Sequence, residues 1–384
     1  MGVVPLANDF VSDEDPTADA ERFPLNLVMC NQCQLVQIKE IVPPERMFRN
    51  YLWVSGTSAT LQQYAQDFAA TMAQRAGGGA GKFLVEVASN DGTMLAACQK
   101  NGFQVLGVDP SSVAAEANEN GIPTVNDFFG LDAANRIVSE HGKADVMIAR
   151  NVIGHVAQPV DLVRGIKTLL ADHGRCVIES PYAGLLREEI QYDTIFHEHV
   201  CYFTIGSLSE LLSRDGLRIL DLWFSPMNGG SFVAEVAHAD VPGRSGAQPV
   251  IDLETITRLN EPRGWDVFSH RAQAQRRELR SLLMEAKAEG AKVAAYGAAA
   301  KFMTMLNFCG IGTDLLCCVG DANPRKQGMK CPGVHIPVVS PEQLMAADPD
   351  YILIGAWNFQ DEIIRQFRQR HGYRKEFLLP LPVP

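Results

Sequence analysis

The sequence predicts an α/β protein of doubly wound, mostly parallel sheets, arranged as two α/β units behind an irregular N-terminal segment. Three observations carry that prediction. Short apolar runs recur without polar alternation, "FLVEVA", "FQVLGVD", "ADVMIARN" and "GRCVIESP", and each suits a strand covered on both faces. Helical periodicity fills the gaps, in "SSVAAEANENG" and "PVDLVRGIKTLLADHG". The same alternation restarts downstream with "KVAAYGAAAKFMTMLNFCGI", "LLCCVGD" and "YILIGAW". Repeated βαβ units of this kind close into parallel sheets with helices on both sides.

Taken in order, residues 1–65 are irregular, with prolines, acidic turns and an isolated pair, Cys30 and Cys33. A glycine-rich linker, "AGGGAGK", precedes the first strand, so the first α/β unit is placed at 66–244. A long polar helix, "WDVFSHRAQAQRRELRSLLMEAKAEG", opens the smaller second unit at 245–384. A length of 384 residues accommodates two domains, and 46% hydrophobic residues supply their cores. The formal net charge of −11 speaks against nucleic acid or an anionic membrane as the main partner, while leaving room for a local basic pocket. No apolar run has the length of a membrane span, and the start lacks the basic and apolar regions of a signal peptide. Nine scattered cysteines read as reduced thiols, so the expected location is cytoplasmic.

The first turn of such a sheet is where a ligand sits. Here it reads "VEVASNDGTML": Glu86 in the strand, then Ser89, Asn90, Asp91 and Gly92 in the turn. Asp109 and Pro110 end the next strand, about twenty residues on, where a carboxylate accepts hydrogen bonds from ribose hydroxyls. The three-glycine dinucleotide fingerprint is absent. One glycine among polar side chains suits a zwitterionic amino-acid group better than a pyrophosphate, which points to S-adenosyl-L-methionine. In "NDFFG", Asp127 and Phe128 are placed to meet adenine by a hydrogen bond and a ring face. The competing reading is an ordinary α/β core with a capping aspartate.

"DTIFHEHVCYF", residues 193–203, sets His197 and His199 around Glu198. The zinc-protease pattern needs histidines four apart, and position 201 is Cys. Proton chemistry fits better, since imidazole is matched to proton transfer near neutral pH. A second polar pair, Asn151 and His155 in "ARNVIGHV", follows the fourth strand, whose end opens the same crevice. In the second unit "AYGAAAK" joins a helix N-terminus to Lys301, and "NPRKQG" adds Arg325 and Lys326, a local anion site suited to a diphosphate. Its competitor is a solvated basic loop.

Eight blocks now stand in a fixed order: "PLANDF", "PLNLVMCNQCQLVQ", "VEVASNDG", "RNVIGHV", "DTIFHEHVCYF", "GGSFVAEV", "AAYGAAAKFMTMLNFCGI" and "NPRKQGMKCPGVHIPV". Together they resemble the S-adenosylmethionine-dependent sugar C-methyltransferases over nearly the whole chain. The resemblance implies a Rossmann-like class I methyltransferase domain between a zinc-binding-like N-terminal segment and a C-terminal Rossmann-like domain that holds a nucleotide-linked sugar. It implies methylation alpha to a ketone, at C-3 of a nucleoside-diphosphate 4-keto-deoxysugar, in natural-product biosynthesis. His199 would be the base and Glu198 would hold the sugar. Asn151 and His155 would line the pocket, with Asn151 also bordering the cofactor. Tyr51 and Trp53 would close over the cofactor. Phe196, His197, Tyr202, Tyr296 and Gly297, with the three basic residues above, would surround the substrate, in a monomer or weak homo-oligomer.

Three departures stand out. The family has Tyr where this chain has Phe196, which cannot donate a hydrogen bond; Tyr192, His197 and Tyr202 are the substitutes considered. Only Cys30 and Cys33 represent the zinc-binding cysteines, so zinc is a weak expectation. Arg150 and Gly154 replace the relatives' Asn and Ala, and Arg150 is a candidate to hold an anion at the pocket edge or a surface ion-pair partner. The alternatives are an epimerase using the same deprotonation, a C-methyltransferase of a non-sugar substrate, and a non-catalytic cofactor-binding partner.

Overall fold

A computed structural model of the chain describes residues 1–12, 20–48, 56, 58–243 and 245–381. The first α/β unit is a seven-stranded sheet of β1 (Phe83–Val87), β2 (Gln104–Val108), β3 (Thr124–Val125), β4 (Ala144–Arg150), β5 (Leu170–Pro181), β6 (Leu217–Ser225) and β7 (Ser231–His238). Their spatial order is β6-β7-β5-β4-β1-β2-β3. Pairs from β5 to β3 are parallel, whereas β7 runs antiparallel to both neighbours. The strand order reverses between β1 and β4, and a crevice opens there at the carboxyl ends.

Both faces of this sheet are buried, which is why its strands read as unbroken apolar runs. Side chains alternate between faces with period two. Leu84, Val146, Ile148, Val177 and Val233 pack under α1 (Ala59–Arg75) and α2 (Thr93–Lys100). Val85, Val87, Met147, Ala149, Cys176 and Ile178 pack on the other side with Leu162, Val163 and Ile166. Helix α1 forms because Ala65, Phe68, Ala69 and Met72 fall on one face, and Ser58 caps it by accepting the Leu61 N–H at 3.4 Å.

The second unit is all parallel: β8 (Val293–Tyr296), β9 (Val319–Gly320), β10 (Val338–Val339), β11 (Tyr351–Ile354) and β12 (Glu376–Leu378), ordered β10-β9-β8-β11-β12. It follows α3 (Pro262–Ala288), whose buried residues Trp265, Phe268, Ala272, Gln275, Leu279, Leu283 and Ala286 form one stripe along an otherwise polar helix. Helix α4 (Ala300–Cys309) leaves β8. A single apolar cluster joins Leu25 of the N-terminal segment, Phe232 of the first sheet and Phe302 of α4.

Several local details differ from the expectation. Residue 65 lies inside α1, since the helix runs through to Arg75 without a break. The helix from Pro159 stops at Leu169, and Leu170 turns to extended backbone and opens β5, with a register shift before Arg175. The helix Gln248–Ile256 lies past residue 245 but docks on the first unit: Glu254 accepts the N–H groups of Ile205 and Gly206 at 2.6 and 2.9 Å and the Tyr182 hydroxyl at 3.0 Å.

Candidate active site

A cavity of about 690 Å³ lies over the carboxyl ends of β1, β2 and β4 and is closed by the start of α4. Its floor is the turn after β1. Ala88 and Asn90 take left-handed backbone, with φ of 57° and 52°, which non-glycine residues seldom do outside functional turns. Gly92, at φ 77°, starts α2 with Ile122 against it, so a β-carbon would clash there. Asp109 knits the turn to β2: one oxygen accepts the Asn90 N–H at 2.8 Å and the other accepts the Ser111 N–H at 2.9 Å. Asp91 accepts the Thr93 N–H at 3.1 Å, capping α2, and the Gly56 N–H at 2.8 Å.

Glu86, Ser89, Asn90, Asp109, Pro110 and Phe128 all line the cavity. Burial pushes the Glu86 carboxyl up to about 8, with Arg150 opposing and the carboxylates of Asp91 and Asp109 adding to the rise. One Glu86 oxygen and the Ser89 hydroxyl are buried without a hydrogen-bond partner among the described residues. Unpartnered buried acceptors are costly, and a cationic ligand with its own donors relieves them. The sulfonium and ammonium groups of S-adenosylmethionine have that chemistry. Asp127 is not on this wall; it pairs with Arg136 at the surface because its backbone turn directs it outward. Tyr51 and Trp53 lie outside the described residues.

Opposite the turn stand the two imidazoles. His199 Nδ1 lies 2.8 Å from the Thr194 carbonyl, which only accepts, so Nδ1 carries the proton and Nε2 keeps its lone pair. Burial holds this imidazole well below its ordinary range, and His155 and Lys301 push the same way. The Phe196 ring lies against it at 3.9 Å between centroids, and His155 meets it edge-on at 4.6 Å. Burial brings His155 down to about 4, so both rings are neutral at pH 7. Tyr202 lines the cavity; its buried hydroxyl, beside the Phe196 backbone, has no side-chain partner among the described residues, and burial keeps it protonated.

Other predicted residues divide sharply. His197 turns the opposite way and donates from Nε2 to the Pro24 carbonyl at 3.1 Å, because the N-terminal segment packs over its side of the loop. Glu198 is buried just behind the cavity-lining residues, with Asn8 between them. Tyr192, buried, donates to Gln275 of α3. Tyr296 faces the far side of β8 against Phe367 at 4.7 Å, since strand alternation sends it there. Gly297, at φ 94° beside Ala356, shapes the turn into α4 without lining the cavity. Arg325 pairs with Glu116 at the surface. Lys301 and Lys326 do line the cavity: Lys301 donates to the Asn228 carbonyl at 2.7 Å, and Lys326 to the Ala298 carbonyl at 2.7 Å.

Arg150 also lines the cavity, but its charge is paired. Its guanidinium pairs with Glu179 at 2.6 Å, and the Tyr64 hydroxyl donates to the same carboxylate at 2.9 Å. Glu179 is fully buried while Arg150 keeps part of its side chain exposed and lines the cavity, so Arg150 stands at the pocket edge with its charge paired to Glu179. Asn151, at φ 51°, donates its backbone N–H to the Glu179 carbonyl at 2.7 Å and accepts from Asn228 at 2.9 Å. Asn8 and Asn228 are cavity residues that sequence reasoning missed, although both stand in or beside quoted blocks, "PLANDF" and "GGSFVAEV". Cys30 and Cys33 gather no third His, Cys, Asp or Glu among the described residues, and two thiols do not complete a tetrahedral zinc site.

The strand order with its one antiparallel member, and a carboxylate-walled first turn facing a neutral imidazole, define a class I methyltransferase that uses S-adenosylmethionine. Residues 59–222 match a family model described as "Methyltransferase domain", 226–382 one described as "C-methyltransferase C-terminal domain", and 1–48 one described as "Putative zinc binding domain". C-methyltransferase NovU of Streptomyces niveus is 33% identical over 390 residues, covering 100% of this chain and 92% of that protein. The chain belongs to the S-adenosylmethionine-dependent C-methyltransferase family. Among solved structures, magnesium protoporphyrin IX methyltransferase of Synechocystis PCC 6803 with bound SAM is 14% identical with a TM-score of 0.36, covering 46% of this chain and 79% of that one. The CcbJ methyltransferase of Streptomyces caelestis is likewise 14% identical, with a TM-score of 0.35, covering 46% of this chain and 89% of that one. Membership of the family favours methyl transfer over the epimerase and the non-catalytic cofactor-binding alternatives. No helix among the described residues is long and apolar enough to cross a membrane.

Proposed function

We propose that this enzyme methylates a carbon alpha to a ketone, on C-3 of a nucleoside-diphosphate 4-keto-deoxysugar, with His199 as the base. The observation that carries the reading is the fixed tautomer of His199: Nδ1 is held by the Thr194 carbonyl and the lone pair of Nε2 is left for the proton. S-adenosylmethionine supplies the electrophilic methyl group, and Glu86, Ser89, Asn90 and Asp109 are the residues that would hold it.

The chain's own part is orientation and charge. His199 Nε2 removes the proton next to the carbonyl, leaving an enolate. The Tyr202 hydroxyl is the donor available to the enolate oxygen, replacing the phenol that Phe196 lacks. Phe196 keeps a packing role against the base. Lys301, Lys326 and the N-terminus of α4 collect positive charge on one wall, which favours a diphosphate there. An anion beside Lys301 also offsets the charge that depresses His199, and so strengthens the base when substrate is bound.

The test uses methyl-labelled S-adenosylmethionine and a panel of thymidine-diphosphate 4-keto-6-deoxysugars, with a simple cyclic ketone as the non-sugar control. Solvent deuterium entering the alpha carbon in the presence of S-adenosylhomocysteine reports deprotonation alone. Label transfer to a sugar and exchange that depends on His199 are expected. Transfer only to the non-sugar ketone rejects the sugar and keeps the base.

A further inference from the structure

The N-terminal segment matches a zinc-binding model, yet its most consequential residue here is an amide. Asn8 lines the cavity, and its Nδ2 donates to Glu198 Oε1 at 3.0 Å. Its backbone N–H faces the same carboxylate. No other protein group is recorded on the Asn8 side chain among the described residues, which leaves the carbonyl oxygen and the second N–H for a ligand. The other Glu198 oxygen is buried without a side-chain partner among the described residues.

The chain around Asn8 is fastened at several points. Pro5 packs against Gly333, and Arg22 donates to the Gly333 carbonyl at 3.1 Å. The Phe10 ring lies 5.1 Å from the ammonium of Lys326, another cavity residue. Val11 and Ser12 pair with Lys330 and Met329 of the second unit. Residues 7–12 therefore tie the His199 loop to the cationic wall, and Asn8 sits between them.

We propose that Asn8 is a substrate-positioning residue: its amide, oriented by Glu198, hydrogen-bonds a hydroxyl or amino substituent next to the substrate ketone. This rests on the ketone-sugar reading above. Burial raises Glu198 to about 7, so above that pH its carboxylate only accepts, takes an N–H of Asn8 and fixes which way the amide points. The N-terminal segment then reads the substrate through this amide.

The experiment compares wild type, Asn8→Ala, Asn8→Asp and Asn8→Ala combined with Glu198→Gln on the thymidine-diphosphate 4-keto-6-deoxysugar panel, with S-adenosylmethionine affinity as the check on folding. Asn8→Ala is expected to lower kcat/KM about 10–100-fold, the range of a lost buried hydrogen bond. Adding Glu198→Gln should cost less than about threefold more, since the two act as one unit. Asn8→Asp puts a second carboxyl against Glu198, near Asp9, His155 and Tyr202. Its loss should shrink as pH falls and the pair takes up a proton, which a packing defect would not do. Asn8→Ala within twofold of wild type, or an Asn8→Asp loss independent of pH, overturns the assignment of Asn8 alone. Wild type idle on every sugar removes the substrate reading, and the assignment with it.

Discussion

The two sheets present first turns of opposite character to one cavity. After β1 the turn is polar and acidic, with Glu86 and Asp109 on the wall and Asp91 just behind. After β8 the turn is glycine and alanine, followed by Lys301 at the helix start, with Lys326 from the next crossover beside it. Both are strand–turn–helix units of a parallel sheet, so backbone geometry alone does not separate them. Charge does. The first turn suits a cation, the second an anion, and His199 lies between them. The difference teaches that one architecture, used twice, can set a cation-favouring turn against an anion-favouring one by side chains alone.

The largest effect should come from the group between the turns. His199→Ala is expected to lower turnover by about 10²–10⁴-fold, the contribution of a positioned base, while S-adenosylmethionine affinity stays within twofold. Titration calorimetry with cofactor and label-transfer kinetics check both halves, and an equal loss of cofactor affinity would break the division of labour.

Next comes the cationic turn. Lys301→Met should raise KM for the nucleotide-linked probe by about 10–100-fold, as removal of a charged hydrogen-bonding partner does, with cofactor affinity unchanged. It should also move the acid limb of the pH–rate profile upward, because the Lys301 charge depresses His199.

The acidic turn gives a smaller, pH-dependent effect. Burial raises Glu86 to about 8, so the carboxyl is neutral below that pH and charged above it. Cofactor affinity should therefore rise with pH up to about 8 and then level, and Glu86→Gln should flatten the curve and cost about tenfold at pH 8. Stability has the opposite sign. A carboxyl whose folded pKa exceeds its unfolded one favours the folded state most at low pH, and that advantage fades as pH climbs from about 4.5 to 8. Glu86→Gln should then raise the apoenzyme melting temperature at pH 8 relative to pH 5.

The smallest effect is expected from Arg325→Ala. Its partner Glu116 is as exposed as it is, and such surface pairs contribute about 0–1 kcal/mol. A KM change above twofold would return Arg325 to the substrate wall.

Much of the fold was legible because it depends on local pattern. Unbroken apolar runs set the buried strands, periodic segments set the helices, and "VEVASNDG" followed by "GVD" located the first turn. The reactive loop was legible too, since two imidazoles and a carboxylate in three residues have few uses. Direction was not. His197 and His199 stand two apart, yet one meets Pro24 across 173 residues of chain and the other Thr194 five residues away. Arg325 and Lys326 are adjacent, and only Lys326 reaches the cavity.

The sequence by itself determined the α/β class and the polar first turn, because strand and helix periods and turn chemistry act over a few residues, while the resemblance of its ordered blocks singled out His199 as the candidate base. Only the tertiary structure decided that Asn8 joins the pocket, that Arg150 meets Glu179 at the cavity wall, and that Tyr296 faces away. Those outcomes depend on partners brought together from distant chain positions, and burial, which no short stretch specifies, then sets their charge.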